Sequence, residues 1–230
     1  MLANKVVLIT GAKGGLGTSV TNAFLDAGAT VVGVSRSIAS SDFPHAEFVA
    51  MPAELSTGES ARNLTDAIVG QFRRIDVLVH LVGGFAGGKS IGETDDATFD
   101  RMLDMNLRSA FLIARSVVPH MRRQGSGRIL AIGSRAAVEP GAMSGAYSAS
   151  KAGLVSLIRT LASENKDRCI TANVILPGTM DTPANRAGDP GADFSKWVQP
   201  SQVAAMLVHL ASDLGAQVNG AVIPVYGRDV

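Results

Sequence analysis

With 230 residues, 46% of them hydrophobic, the chain is long enough to bury a sizeable core; its formal net charge of +1 provides no basic or acidic field for a nucleic acid or an anionic membrane surface. No Lys/Arg run exceeds two residues, and no apolar run approaches the roughly 18 residues that cross a bilayer. The single cysteine, Cys169, excludes an internal disulfide and fits a reducing compartment, so the expectation is a cytoplasmic protein with neither nucleic-acid nor membrane partners.

Strand-like and helix-like stretches alternate along the whole chain. That pattern predicts an α/β fold of the doubly wound, Rossmann type, in which helices cover both faces of a parallel seven-stranded sheet. Residues 6–9 read as a first strand, too short an apolar run for a signal peptide, and 15–27 as a helix stopped by Gly28. Strands are expected at 30–34, 47–50 and 76–82, with a helix capped by Ser56 or Thr57 before the last of these. Residues 94–105 and 106–123 read as two consecutive helices. A fifth strand at 128–132, a helix at 144–164 and a sixth strand at 170–176 follow, with Cys169 as an inert core thiol at the strand's start. The loop after Pro177-Gly178, rich in proline, leads to a helix at 201–210 and a last strand at 221–225. With no repeat, low-complexity tract or linker, residues 1–230 read as one catalytic domain in which 183–200 forms a lid over the substrate.

Two stretches carry chemistry. Thr10-Gly11-Ala12-Lys13-Gly14-Gly15-Leu16-Gly17 lies between the first strand and the first helix, where glycines let the backbone approach a pyrophosphate and the helix N-terminus offers free N–H groups. Downstream, Tyr147 stands four residues before Lys151, so on a helix the two share a face. A phenol ionises near pH ~10 unperturbed, and a neighbouring ammonium favours the phenolate, bringing Tyr147 toward acid/base work. Ser134, at the end of the fifth strand, brings a hydroxyl to the same place.

These features together resemble the single-domain short-chain dehydrogenase/reductase family. The glycine spacing, Ser134 and Tyr147 thirteen residues apart (147 − 134), Lys151, Asn106 and Pro177-Gly178 followed by Thr182 all match its pattern, from Val6 to about Gly227. The resemblance implies that Ser134 polarises a substrate carbonyl, that Tyr147 is the general acid or base, and that Lys151 holds the nicotinamide ribose. It also implies that Asn106 supports a proton relay to Lys151 and that Thr182 contacts the nicotinamide amide. The implied cofactor cradle comprises Gly11, Gly15, Leu16, Gly17, Gly83, Tyr147, Lys151, Pro177, Gly178 and Thr182. Glu54 and Leu55 would stand near the adenine, where the family usually has an aspartate.

Cofactor choice can be read from the second strand's end. An acid there would accept from a ribose 2′-hydroxyl, but the chain has Ser35-Arg36-Ser37, and Arg36 can clamp a 2′-phosphate with help from the two serines and from Lys13. NADP(H) is therefore expected over NAD(H). His80-Leu81-Val82-Gly83 replaces the family's usual Asn-Asn-Ala-Gly, and His80 reads as a hydrogen-bonded core histidine. His45, His120 and His209 lack metal-ligand spacing, so no metal is expected.

Locally, 83–88 and 181–197 are similar to dihydropteridine reductase of the same superfamily, and Phe85, Phe194 and Trp197 are candidates to line an aromatic substrate pocket. The expected activity is hydride transfer between NADP(H) and a small carbonyl or alcohol. Pterin reduction is the nearest alternative, and a non-catalytic dinucleotide-binding regulator a more distant one. Apolar surface on several sides of 110–121 and 154–161 predicts a homo-oligomer, tetramer or dimer.

Overall fold

The computed structural model describes residues 1–228 and contains one sheet of seven strands in the order β3-β2-β1-β4-β5-β6-β7, every pair parallel. The strands are β1 (Val6–Thr10), β2 (Thr30–Ser35), β3 (Phe48–Pro52), β4 (Val77–His80), β5 (Gly127–Ile132), β6 (Ile170–Pro177) and β7 (Val222–Val225). The helices are α1 (Gly15–Asp26), α2 (Gly58–Phe72), α3 (Asp96–Leu103), α4 (Ser109–Gln124), α5 (Gly145–Asn165), α6 (Pro183–Gly188) and α7 (Pro200–Ala211).

Both sheet faces are buried, which explains the continuous apolar runs in the central strands. On β1, Val6 and Leu8 pack into the layer with α2, α4 and α5, while Val7 and Ile9 pack into the layer with α1 and α7. The chain winds outward from β1 to β3 and returns to lay β4 on the other side of β1. This reversal opens a crevice at the C-terminal ends of β1 and β4, where doubly wound sheets bind ligands. Asp76, 5% exposed, holds the opposite end of the pair together: its carboxylate accepts from Val6 N at 2.8 Å and from Arg74 Nε at 2.8 Å.

Three expectations change. Residues 94–123 hold two consecutive helices, α3 and α4, as expected, but they meet without a break: the π-helical turn Asp104–Arg108 joins them, and Leu103 and Arg108 keep helical dihedrals. Asn106 lies inside that turn and neither opens nor caps a helix. Cys169 is exposed, in the left-handed conformation (φ 54°) just before β6, so its thiol is not in the core. The proline-rich loop after β6, expected as a lid, holds regular structure: α6, a 3-10 turn at Phe194–Lys196 and a parallel bridge between Met180 and Val198. His80 is, as expected, a buried and hydrogen-bonded histidine, 3% exposed at the end of β4.

Candidate active site

The crevice is a cleft of about 760 Å³ floored by the glycine turn and walled by the ends of β4, β5 and β6. Gly11 takes φ +77°, and its N–H and that of Ala12 donate to Val34 O at 2.8 and 3.2 Å, folding the turn against β2. A side chain on Gly17 would drive its Cβ into the carbonyl of Gly11, so only glycine lets α1 start this close to β1. No side chain caps α1 at Gly14, which leaves its first N–H groups facing the cleft with Gly14, Gly15, Leu16 and Gly17 in the lining.

Ser134, Tyr147 and Lys151 all line this cleft. Ser134 is extended as it leaves β5, and its Oγ accepts from Ala136 N at 3.2 Å, which fixes the side chain at the start of a 3-10 turn. One helical turn separates Tyr147 from Lys151 on α5. Lys151 is 5% exposed, and its Nζ donates to Ile132 O at 2.9 Å, pinning the ammonium to the end of β5. Burial lowers its pKa to about 8, so it is charged at neutral pH but within reach of titration. Burial also pushes the Tyr147 hydroxyl above its ordinary value, and a hydrogen bond with Ser134 opposes that rise. The spacing alone suggested a phenol depressed by Lys151; here the ammonium is turned onto a carbonyl, and desolvation outweighs the rest.

Asn106 is wholly buried beneath these residues. Its amide closes a two-way pair with Gly84, accepting from Gly84 N and donating to Gly84 O at 3.0 Å each, and donates to Ser150 Oγ at 3.1 Å. A Cβ on Gly83 would lie 2.7 Å from Asn106 Oδ1 and 3.2 Å from Lys151 Nζ. Asn106, Gly83 and Lys151 thus converge on one small space, although Asn106 does not itself line the cleft.

On the far side, Pro177, Gly178 and Thr182 complete the wall. Thr182 accepts from Asn185 N at 3.3 Å as the cap of α6, and a Cβ on Gly15 would lie 3.1 Å from its Cβ, so the segment carrying α6 begins in contact with the glycine turn. Phe85, 70% exposed, stands edge-on to Tyr147 with ring centroids 5.0 Å apart and forms the cleft's mouth. Phe194 and Trp197 do not line it: they stack on each other at 4.8 Å, and Arg186 covers Phe194 while pairing with Asp181.

The residues expected at the cofactor's other end lie beyond the cleft lining. Arg36 is exposed and has no ion pair among the described residues. Lys13 is held by Asp42 at 2.8 Å and donates to Ser37 O at 3.2 Å, while the Asp42 carboxylate accepts from Ala39 N at 2.9 Å. The hydrogen bond from Lys13 keeps Asp42 below the usual carboxylate range. Sequence reading counted Lys13 as a free second cation, and it missed the acid that folds back to meet it. Ser35 ends β2 half-buried, Glu54 is exposed, and Leu55 is packed in the core layer of α2 and α4.

Also missed were Arg135 and Glu139, which line the cleft beside Ser134 and pair at 2.7 Å. Their i, i+4 spacing just after Ser134 was the available signal. Among the described residues no group of three or more His, Cys, Asp or Glu could hold a metal, and no helix is long and apolar enough to cross a membrane.

The family model described as short chain dehydrogenase matches residues 5–192. A short chain dehydrogenase, ausX of Aspergillus calidoustus, is 33% identical over 248 residues, spanning 97% of this chain and 96% of that one. The rhamnolipids biosynthesis 3-oxoacyl-[acyl-carrier-protein] reductase of Pseudomonas aeruginosa is 31% identical over 247 residues, with 98% and 96% covered. Among solved structures, a 3-ketoacyl-(acyl-carrier-protein) reductase from Brucella melitensis complexed with NADH superposes with TM-score 0.89 at 26% identity over 100% of both chains.

Proposed function

The chain belongs to the short-chain dehydrogenase/reductase family and is an oxidoreductase acting on CH–OH or C=O groups, and from that premise we propose that it moves hydride between NADP(H) and a small carbonyl or alcohol, with Tyr147 carrying the proton. The observation behind this reading is that Ser134, Tyr147 and Lys151 face one cleft whose floor is an uncapped helix N-terminus built from glycines.

Those residues fit a dinucleotide. Open N–H groups at the start of α1 suit a pyrophosphate, and a buried ammonium with a single carbonyl partner has protons left for ribose hydroxyls. When bound, the reduced nicotinamide supplies hydride to the carbonyl carbon. In that direction Ser134 and Tyr147 hold the carbonyl oxygen, and the phenol gives its proton as negative charge develops there. Lys151, charged at neutral pH, stabilises the phenolate left behind. Lys151 then returns a proton to that phenolate, and Asn106, through the space beside Gly83, supports a water-linked relay that replaces the proton on Lys151. The products are an alcohol and the oxidised nicotinamide, and the reverse path uses phenolate as base.

Arg36 favours a 2′-phosphate, since it is exposed and no acid faces it at the end of β2. The Lys13–Asp42 pair favours NAD(H) as the second reading, because it cancels one of the two cations, and the Brucella reductase was captured with NADH. Thermal shifts with NADPH, NADH and no ligand decide between them, because a ligand that binds only the folded state raises the melting temperature. A larger shift with NADH sinks the NADP(H) reading.

Turnover of simple ketones should be assayed beside a quinonoid dihydropterin. Phe85 at the mouth supports an aromatic substrate, whereas Phe194 and Trp197 are committed to each other and to Arg186. We read residues 1–230 as one cytoplasmic catalytic domain, with 183–200 as its lid. Phe99 on α3, Met105 in the π-helical turn and Phe111 on α4, all exposed, support association of copies into a dimer or tetramer.

A further inference from the structure

His80 is the one buried imidazole beside the catalytic cluster, and its two ring nitrogens reach in opposite directions. Nδ1 lies 2.9 Å from Thr10 Oγ1, the residue that leads into the glycine turn. Nε2 lies 3.2 Å from Ser109 Oγ, in the first turn of α4. Ser109 Oγ is also 2.7 Å from Met105 O, inside the π-helical turn and next to Asn106.

These distances settle which nitrogen carries the proton. A carbonyl oxygen can only accept, so the 2.7 Å contact requires Ser109 to spend its single hydroxyl proton on Met105 O. Toward His80 the serine can then only accept, which requires a proton on Nε2. With the ring neutral, Nδ1 is a lone pair and accepts from Thr10. Burial and the charge of Lys151 push the imidazole's pKa down to about 3, in keeping with a neutral ring at any working pH. The resulting chain runs one way, from Thr10 to His80 to Ser109 to the Met105 carbonyl, with every buried group satisfied.

We propose that His80 is a positioning residue: a neutral imidazole of fixed Nε2–H tautomer that ties the glycine turn to the π-helical turn and so holds Asn106 on Gly84 and Ser150. This rests on the reading of Asn106 as part of the proton path. A merely structural histidine would affect stability first and turnover only through it; a positioning histidine affects turnover according to which nitrogen is mimicked.

Two variants separate these cases. A glutamine amide nitrogen reaches the place of Nε2, so His80→Gln keeps the donor to Ser109. An asparagine side chain reaches only the place of Nδ1, so His80→Asn keeps the Thr10 partner and loses the link to the π-helical turn. The expected result is that H80Q retains kcat within about twofold, while H80N loses about tenfold, near the worth of one hydrogen bond, at equal NADPH affinity. Equal losses in both variants, or losses that track melting temperature, would overturn the proposal. Nitrogen-15 NMR of the protein without nucleotide should show Nε2 protonated and Nδ1 bare. The opposite tautomer would overturn the proposal too. The spectrum is read without turnover, so it is judged apart from whether any carbonyl is reduced.

Discussion

The cleft and the surface beyond the glycine turn are built on opposite terms. In the cleft, where the proposal puts the chemistry, Lys151 is 5% exposed, Asn106 beneath it is wholly buried, and their polar atoms are held by Ile132 O, Gly84 and Ser150. On the surface beyond it, where the proposal puts the nucleotide's phosphate, Lys13 and Asp42 have side chains 43% and 22% exposed, and Arg36 stands in solvent. Burial makes each contact at the cleft expensive to lose, and it moves the pKa values of Lys151, Tyr147 and His80. Beyond the cleft water and salt dilute every charge, so preference for one nucleotide rests on small differences. Chemistry is therefore the rigid property of this protein, and cofactor choice the adjustable one.

The contrast is broken most severely by acid. The imidazole of His80 titrates near 3 when folded and near 6.5 when unfolded, so the unfolded chain takes up the proton first. Stability from this group is complete above pH 6.5 and is lost as pH falls toward 3, by on the order of 5 kcal/mol. Urea melts of wild type and His80→Gln across that range should diverge, with the variant showing the shallower pH dependence. Ser134→Ala, which removes one donor to the developing oxyanion, should cut kcat by roughly 10²–10³-fold and leave nucleotide affinity unchanged in a fluorescence titration.

The exposed surface responds less. Arg36→Ala should weaken NADPH roughly 10- to 100-fold, the worth of hydrogen bonds to a charged phosphate, with NADH nearly unaffected. Asp42→Asn releases Lys13 and should improve NADPH over NADH by only about two- to fivefold, because an exposed pair contributes little. That gain should fade as salt rises; the KM ratio at two ionic strengths checks it. An Asp42→Asn enzyme with unchanged preference would mean that Lys13 never reaches the nucleotide.

The same contrast explains what could be read from residues alone. The alternation of strands and helices, the glycine turn and the shared face of Tyr147 and Lys151 follow from spacing along regular elements, which periodicity and turn chemistry reveal, whereas grouping Ser134 with them drew on the family resemblance. The π-helical turn leaves no such trace: Asp104–Arg108 keeps apolar residues at helical intervals, and its extra backbone residue shows only in hydrogen bonds. Asp42 was invisible because its meeting with Lys13 depends on how the chain folds back after β2, with Phe43 stacked on Phe48 at 4.8 Å. Cys169 reads as core because it borders β6, yet its left-handed backbone turns it outward. Phe194 and Trp197 look like pocket walls in sequence, but an aromatic pair covered by Arg186 satisfies the same composition.

All of this depends on the Tyr147 hydroxyl as the proton carrier beside a bound nicotinamide. The most direct test is Tyr147→Phe, with nucleotide affinity and single-turnover rate measured on the same sample. The account predicts NADPH or NADH binding within about twofold of wild type and a rate lower by roughly 10²–10⁴-fold, the usual contribution of a positioned acid. A rate that survives the loss of that oxygen would contradict it.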